Sequence, residues 1–156
     1  MAEFTLLMGA DMGDPPAAFA HAVRLISGRI GTVLATSRDH WTEPWGFKGD
    51  RLFLNRALLV ETSMPPRNVM EELLAIERQL GRVRPPGSGY ASRTIDLDIL
   101  FIGEHVIDAP GLTVPHPRVH QRAFALGPAA DLVPDLVHPV LGHTVLHLLN
   151  QALNRP

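Results

Sequence analysis

The sequence predicts a single-domain α/β protein, and three observations lead there. Its 156 residues are enough for one core without staples, and 46% are apolar against 19% charged, the balance of a globular chain. Strand-like runs recur at 4–8, 32–37, 52–62 and 93–101. Stretches with helical starts and helical apolar spacing lie among them, opening at Pro15 or Pro16 and at Pro65 or Pro66.

Phe4-Thr5-Leu6-Leu7-Met8 reads as a buried strand ending at Gly9. The Gly- and Asp-rich turn after it supplies Asp14 as an N-cap, ahead of a helix with Phe19, Val23 and Ile26 on its inner face and Gly28 or Gly31 at its end. A second strand starts at Thr32 and is expected to run as far as Trp41. Residues 41–50 read as an aromatic, Pro/Gly-bearing loop, either folded over the core or acting as a flap over a flat ligand. In the next strand Phe53, Asn55, Ala57 and Leu59 share a face, so a ring and an amide sit two residues apart, a pair suited to a planar heterocycle. The second helix buries Val69, Leu73, Ile76 and Leu80, presents Glu77 near its end and stops at Gly81.

The run from Arg93 to Phe101 carries the chemistry. Apolar residues at 95, 97, 99 and 101 alternate with Asp96 and Asp98, which puts both carboxylates on one strand face. Two like charges this close repel unless a cation lies between them, and Mg²⁺ is commonly held by one or two carboxylates plus substrate phosphates. Arg82, Arg84 and Arg93 lie on a Pro/Gly/Ser-rich loop leading into that strand, a phosphate-transfer arrangement. Without them, a lone D-x-D reads as a charged edge strand that deters aggregation.

Gly103-Glu104 turns the chain into a short return, and Leu112–Pro117 is extended, with His116 stiffly placed between two prolines. A helix is expected from His120 to Gly127, a packed connection from Asp131 to Pro139, and a closing helix from Val145 to near Asn154. His143 and His147 are one helical turn apart, but the metalloprotease glutamate is missing.

Composition narrows the class. A net charge of −2 does not favour nucleic acid, and the lack of cysteine excludes disulfides and thiol nucleophiles. The N-terminus does not read as a signal peptide and no run reaches membrane-spanning length, so a cytoplasmic, membrane-free protein is expected.

Gly81-Arg82-Val83-Arg84, Arg93-Thr94-Ile95-Asp96-Leu97-Asp98-Ile99-Leu100 and Leu112-Thr113-Val114-Pro115-His116 resemble the 6-hydroxymethyl-7,8-dihydropterin pyrophosphokinase family of folate synthesis. Thr42 with Pro44 and Gly46, Phe53-Leu54-Asn55 and Arg122-Ala123-Phe124 add to the resemblance, which covers nearly the whole chain as one domain, 1–156. It implies a ferredoxin-like core, an antiparallel sheet with helices packed on both faces. It also implies transfer of the β,γ-diphosphate of ATP to the hydroxymethyl group of a reduced pterin, leaving AMP.

Carried onto this chain, the resemblance makes Asp96 and Asp98 ligands of two Mg²⁺ ions and Arg82 and Arg93 phosphate clamps. Glu77, Arg84, His116 and Arg122 fall near the nucleotide, with Tyr90 as the aromatic of the loop. Phe53 and Phe124 would sandwich the pterin while Thr42 and Asn55 bond its polar edge. A monomer is expected. The chain departs from the family at Gly9-Ala10-Asp11, where Gly-Ser-Asn is common near the pterin, in the loop from Pro85 to Tyr90, and at Pro117, where an aromatic is frequent. The competing readings are a non-catalytic binding homologue, an RNA-binding module and another Mg²⁺-dependent phosphoryl or nucleotidyl transferase.

Overall fold

The computed structural model describes residues 1–11, 13–42, 52–81 and 95–155. In chain order these form β1 (Ala2–Ala10), α1 (Pro15–Arg29), β2 (Thr32–Thr36), β3 (His40–Thr42), β4 (Phe53–Thr62), α2 (Pro66–Gly81), β5 (Asp96–Ile102), β6 (Ile107–Ala109), β7 (Leu112–Val114), a 3₁₀ turn (Val119–Gln121), α3 (Ala123–Leu132) and α4 (Val145–Leu153). The main sheet runs β2-β4-β1-β5, every pairing is antiparallel, and β6 and β7 form a separate hairpin. That order, with α1 following β1 and α2 following β4, is the split βαβ arrangement of a ferredoxin-like core.

Two helix starts, those of α1 and α4, are capped by a side chain. The Asp14 carboxylate accepts the Ala17 N–H at 3.2 Å and Pro15 takes a first-turn position whose missing N–H costs nothing. Thr144 caps α4 by accepting from the His147 N–H at 3.1 Å. Gly31, just past α1, is pressed so tightly on β4 that a β-carbon there would overlap the Glu61 carbonyl oxygen.

The sheet is buried on both faces. Phe4, Leu6, Met8 and Ala10 of β1 and Leu54, Leu58 and Val60 of β4 meet Phe19 and Ile26 of α1 and Val69, Leu73 and Ile76 of α2. On the other face Leu7 and Phe101 meet Ala125, Leu126 and Ala129 of α3 and Val145 and Leu148 of α4. Helices therefore pack on both faces of the antiparallel sheet, as expected. Among the described residues, no helix is long and apolar enough to cross a membrane.

Several local expectations are corrected. The strand from Thr32 is interrupted after Thr36 and resumes as β3, so Trp41 and Thr42 pair with β4 rather than sit in a loop. Ser37 bridges the gap, its hydroxyl accepting the Ala57 N–H at 2.8 Å. Phe101 does not share a face with Ile95, Leu97 and Ile99: Thr5 pairs with Phe101 and Leu6 with Ile99, so Leu100 is an extra residue. This bulge reverses the alternation and sends Phe101 to the α3 side. The short return after Gly103 is β6, which pairs with β7. The helix expected from His120 is broken at Arg122 into a 3₁₀ turn and α3, which continues through Asp131 to Leu132. Ala10, expected near the pterin, is buried under α1 and α2, so a hydroxyl lost there is lost on the opposite face.

Candidate active site

Where β1, β4 and β5 carry the chain past α3, the sheet's second face changes character. Leu7 is the last apolar side chain of β1 on that face, and two residues on stands Gly9. Gly9 pairs with Asn55 of β4 on one side and with Asp96 of β5 on the other. Leu7 pairs likewise with Ala57 and Asp98. Cross-strand partners share a face, so Asn55, Gly9 and Asp96 form one row with Asp98 beside it. Two strand spacings separate the ends of that row, about 10 Å.

One end has the features that a flat, polar-edged ligand would use. A β-carbon on Gly9 would lie 3.0 Å from Asn55 Oδ1 and 3.2 Å from Phe53 Cε1, so the glycine leaves room that these two side chains lean toward. Asn55 is 2% exposed, yet its Nδ2 has no hydrogen-bond partner among the described residues. A buried amide donor left unpaired costs about 1–3 kcal/mol, and an acceptor on a ligand removes that cost. Thr42 pairs with Phe53, placing its side chain next to the ring. Phe124, in the first turn of α3, stays 41% exposed although α3 packs on β3 and β4.

The other end is charged. Asp96 and Asp98 are both half-buried on β5. The backbone N–H of Leu97, between them in sequence, donates to Glu77 Oε2 at 2.6 Å, so α2 holds this strand by its outer edge. His116 is fastened to the same strand by its N–H, 3.0 Å from the Leu100 carbonyl oxygen. Burial pushes the His116 imidazole below its ordinary range; the Asp98 charge opposes that, and Arg122 and Arg118 add to it. The Arg122 guanidinium lies 5.5 Å from the centre of the Phe124 ring, so Arg122 stands between the two ends.

Of the residues singled out from sequence, the structure brings Asp96, Asp98, His116, Glu77 and Arg122 to the charged end and Thr42, Phe53, Asn55 and Phe124 to the other. Arg82, Arg84, Tyr90 and Arg93 lie outside the described residues, as do Pro44 and Gly46. The sequence reading missed the part Gly9 plays as the gap between the two ends; a small residue closing a strand was its one signal. It also missed His40 and Asp131, whose side chains meet at 2.8 Å across 91 residues. His143 and His147 stack with centroids 4.4 Å apart, and His138 is buried edge-on to Phe101. Among the described residues, no group of three His, Asp or Glu side chains is placed to hold a metal. Two adjacent carboxylates still suit a hard cation that takes its remaining ligands from phosphate and water.

The family model described as 7,8-dihydro-6-hydroxymethylpterin-pyrophosphokinase (HPPK) matches residues 5–134. A Porphyromonas gingivalis protein named 2-amino-4-hydroxy-6-hydroxymethyldihydropteridine pyrophosphokinase is 36% identical over 141 residues, 89% of this chain and 95% of that one. A Methylorubrum extorquens protein of the same name is 38% identical over 143 residues, 91% and 88% of the two chains. The Pneumocystis carinii folic acid synthesis protein fol1 is 38% identical over 138 residues, but the matched region is 18% of that longer protein. The fold is also that of the crystal structure of wild-type Plasmodium falciparum HPPK-DHPS, with a TM-score of 0.79 at 15% identity over 99% of this chain and 45% of that chain.

Proposed function

The chain belongs to the 7,8-dihydro-6-hydroxymethylpterin-pyrophosphokinase family of folate-synthesis enzymes, and from that membership we propose that it transfers the β,γ-diphosphate of ATP to 6-hydroxymethyl-7,8-dihydropterin, releasing AMP. The observation that carries this reading is the Asn55–Gly9–Asp96 row, which puts a heterocycle-reading amide and a carboxylate pair about two strand spacings apart on one face.

Phe53 and Phe124 hold the pterin ring between them, while Asn55 and Thr42 bond its polar edge. Held this way, the ring directs its hydroxymethyl group along the gap at Gly9 toward β5. Asp96 and Asp98 would hold two Mg²⁺ ions, which would offset the triphosphate charge and help to orient it for in-line attack on the β-phosphorus. Arg82 and Arg93 clamp the phosphates, and Arg84, His116, Arg122, Glu77 and Tyr90 surround the nucleotide. Glu77 already serves as the outer anchor of β5, so its contribution includes keeping the aspartates in place. The neutral form of His116, favoured by burial, suits hydrogen bonding more than charge. Catalysis comes from positioning and electrostatics, with no dedicated strong base. The protein works as a single domain over 1–156, as a monomer, in the cytoplasm.

The test is a product assay with ATP, Mg²⁺ and the reduced pterin that separates AMP from ADP. AMP formed only when pterin is present supports the reading. ADP would mean single phosphoryl transfer or hydrolysis. Neither product, from folded protein that binds pterin, would favour the non-catalytic homologue.

A further inference from the structure

The chemistry above leaves unused a polar cluster that joins β3 to α3. The Asp131 carboxylate accepts three hydrogen bonds from Arg38, from its backbone N–H at 3.2 Å, Nε at 3.2 Å and Nη2 at 3.0 Å. The same carboxylate lies 2.8 Å from His40 Nε2. The Arg38 hydrogen bonds hold Asp131 down to about 2, with His40 adding to them against the effect of burial. An ionised carboxylate only accepts, so Nε2 of His40 carries the proton in this contact.

His40 is also a spacer. A β-carbon on Gly127 would lie 3.2 Å from His40 Nδ1 and 3.4 Å from Cε1, so α3 rests directly on the imidazole. Phe124, Gly127 and Asp131 fall at helical spacing i, i+3 and i+7, one face of α3. On the sheet side His40 pairs with Asn55, and two residues on Thr42 pairs with Phe53. One ring thus touches the helix that carries one aromatic wall and stands beside the strand that carries the other.

We propose that His40 is a positioning residue that, tethered by Asp131 and seated on Gly127, sets the separation between the Phe53 and Phe124 walls and so tunes pterin affinity without touching the phosphates. The inference rests on the reading of these walls as the pterin slot. Moving α3 by a few tenths of an ångström changes the slot width at Phe124, while β5 and its aspartates lie three strands away from β3. A residue that merely stabilised the fold would affect both substrates alike.

Equilibrium binding of 6-hydroxymethyl-7,8-dihydropterin, and separately of Mg²⁺-ATP, is measured for wild type, Asp131→Asn, Gly127→Ala and His40→Gln, with KM and kcat alongside. Asp131→Asn removes the charge and leaves one oxygen to accept from both Arg38 and His40, which loosens the tether, whereas Gly127→Ala keeps every polar contact and pushes only the spacer. Both are expected to weaken pterin binding roughly tenfold with ATP binding changed less than about twofold, a shift in the position of a stacking partner rather than its loss. His40→Gln, whose amide nitrogen reaches the same carboxylate, is expected to stay within about threefold of wild type. Equal losses for both substrates, or pterin affinity unchanged in Gly127→Ala and Asp131→Asn, would overturn the inference. Wild-type protein that binds no pterin would overturn it together with the reading it rests on.

Discussion

Asn55 holds its Oδ1 3.0 Å from the point where a β-carbon would stand on Gly9, its partner across the sheet, and so crowds a space that glycine keeps open. The same side chain buries an Nδ2 with no partner among the described residues. This pair concentrates the cost of the site in one place, because a fold optimised for stability would fill the gap and remove the amide.

Asn55→Leu is therefore expected to raise stability by about 1 kcal/mol while weakening pterin binding at least roughly tenfold. Chemical unfolding midpoints and pterin titration check both halves. A destabilised variant that binds normally would mean the amide serves the core.

Asp96→Ala and Asp98→Ala are expected to lower turnover by about a hundredfold or more with thermal unfolding little changed, since both side chains are half-buried at the strand's edge rather than in the core. Full activity in either variant would sink the two-carboxylate metal site. Titration with Mg²⁺ in the presence of an ATP analogue gives a second readout.

Phe124→Ala removes a ring that is 41% exposed, so its loss should cost stability little and pterin affinity much more than nucleotide affinity. Equal weakening of the two ligands would point instead to general support of the Arg122 end.

Much of this was legible in the sequence. The Asp96/Asp98 alternation, the Phe53/Asn55 pair and the Asp14 start of α1 are local signals, each set by the period or cap chemistry of a few neighbouring residues. What was not legible depends on a single inserted residue or on distant partners. Leu100 looks like any member of an alternating run, and nothing in the run itself reveals that β1 skips it. His40 and Asp131 are 91 residues apart and belong to elements whose packing, not periodicity, brings them together. Arg122 ended a helix that composition alone would have continued back to His120, because its backbone adopts an extended conformation there.

Stability should fall in mild acid through His138. Its Nδ1 accepts the N–H groups of Val140 at 3.2 Å and Leu141 at 3.1 Å, and burial, aided by His120, holds the imidazole below its ordinary value. The unfolded chain takes up a proton near pH 6.5, while the folded chain resists until a lower pH. The stabilisation is thus complete above that value and lost as the pH falls through the folded-state pKa. Urea midpoints at pH 7.5 and about 5.5 should show the drop. His138→Asn, which can accept in the same turn without titrating, should show a smaller one. An equal drop in the variant would assign the effect elsewhere, His116 being the other histidine held low.

Gly31→Ala is expected to destabilise the protein by about 2–4 kcal/mol, since its β-carbon would overlap the Glu61 carbonyl and neither backbone can yield without moving β4. A thermal melt decides it, and a change under about 0.5 kcal/mol would contradict the close approach.

The bulge at Leu100 gives β5 two reading frames. On the face toward α3 and α4, Asp96 and Asp98 come before it and Phe101 comes after it, while on the other face Leu97, Ile99 and Ile102 stay in the core with α1 and α2. The residue at the frameshift also lends its carbonyl oxygen to the His116 N–H. Deleting Leu100 would therefore be no local lesion. It would swap the allegiance of every later side chain on the strand and unhitch His116 in the same stroke. The carboxylate end and the packed end of β5 differ in what their side chains touch, but the length of the strand between them is a constraint that both share.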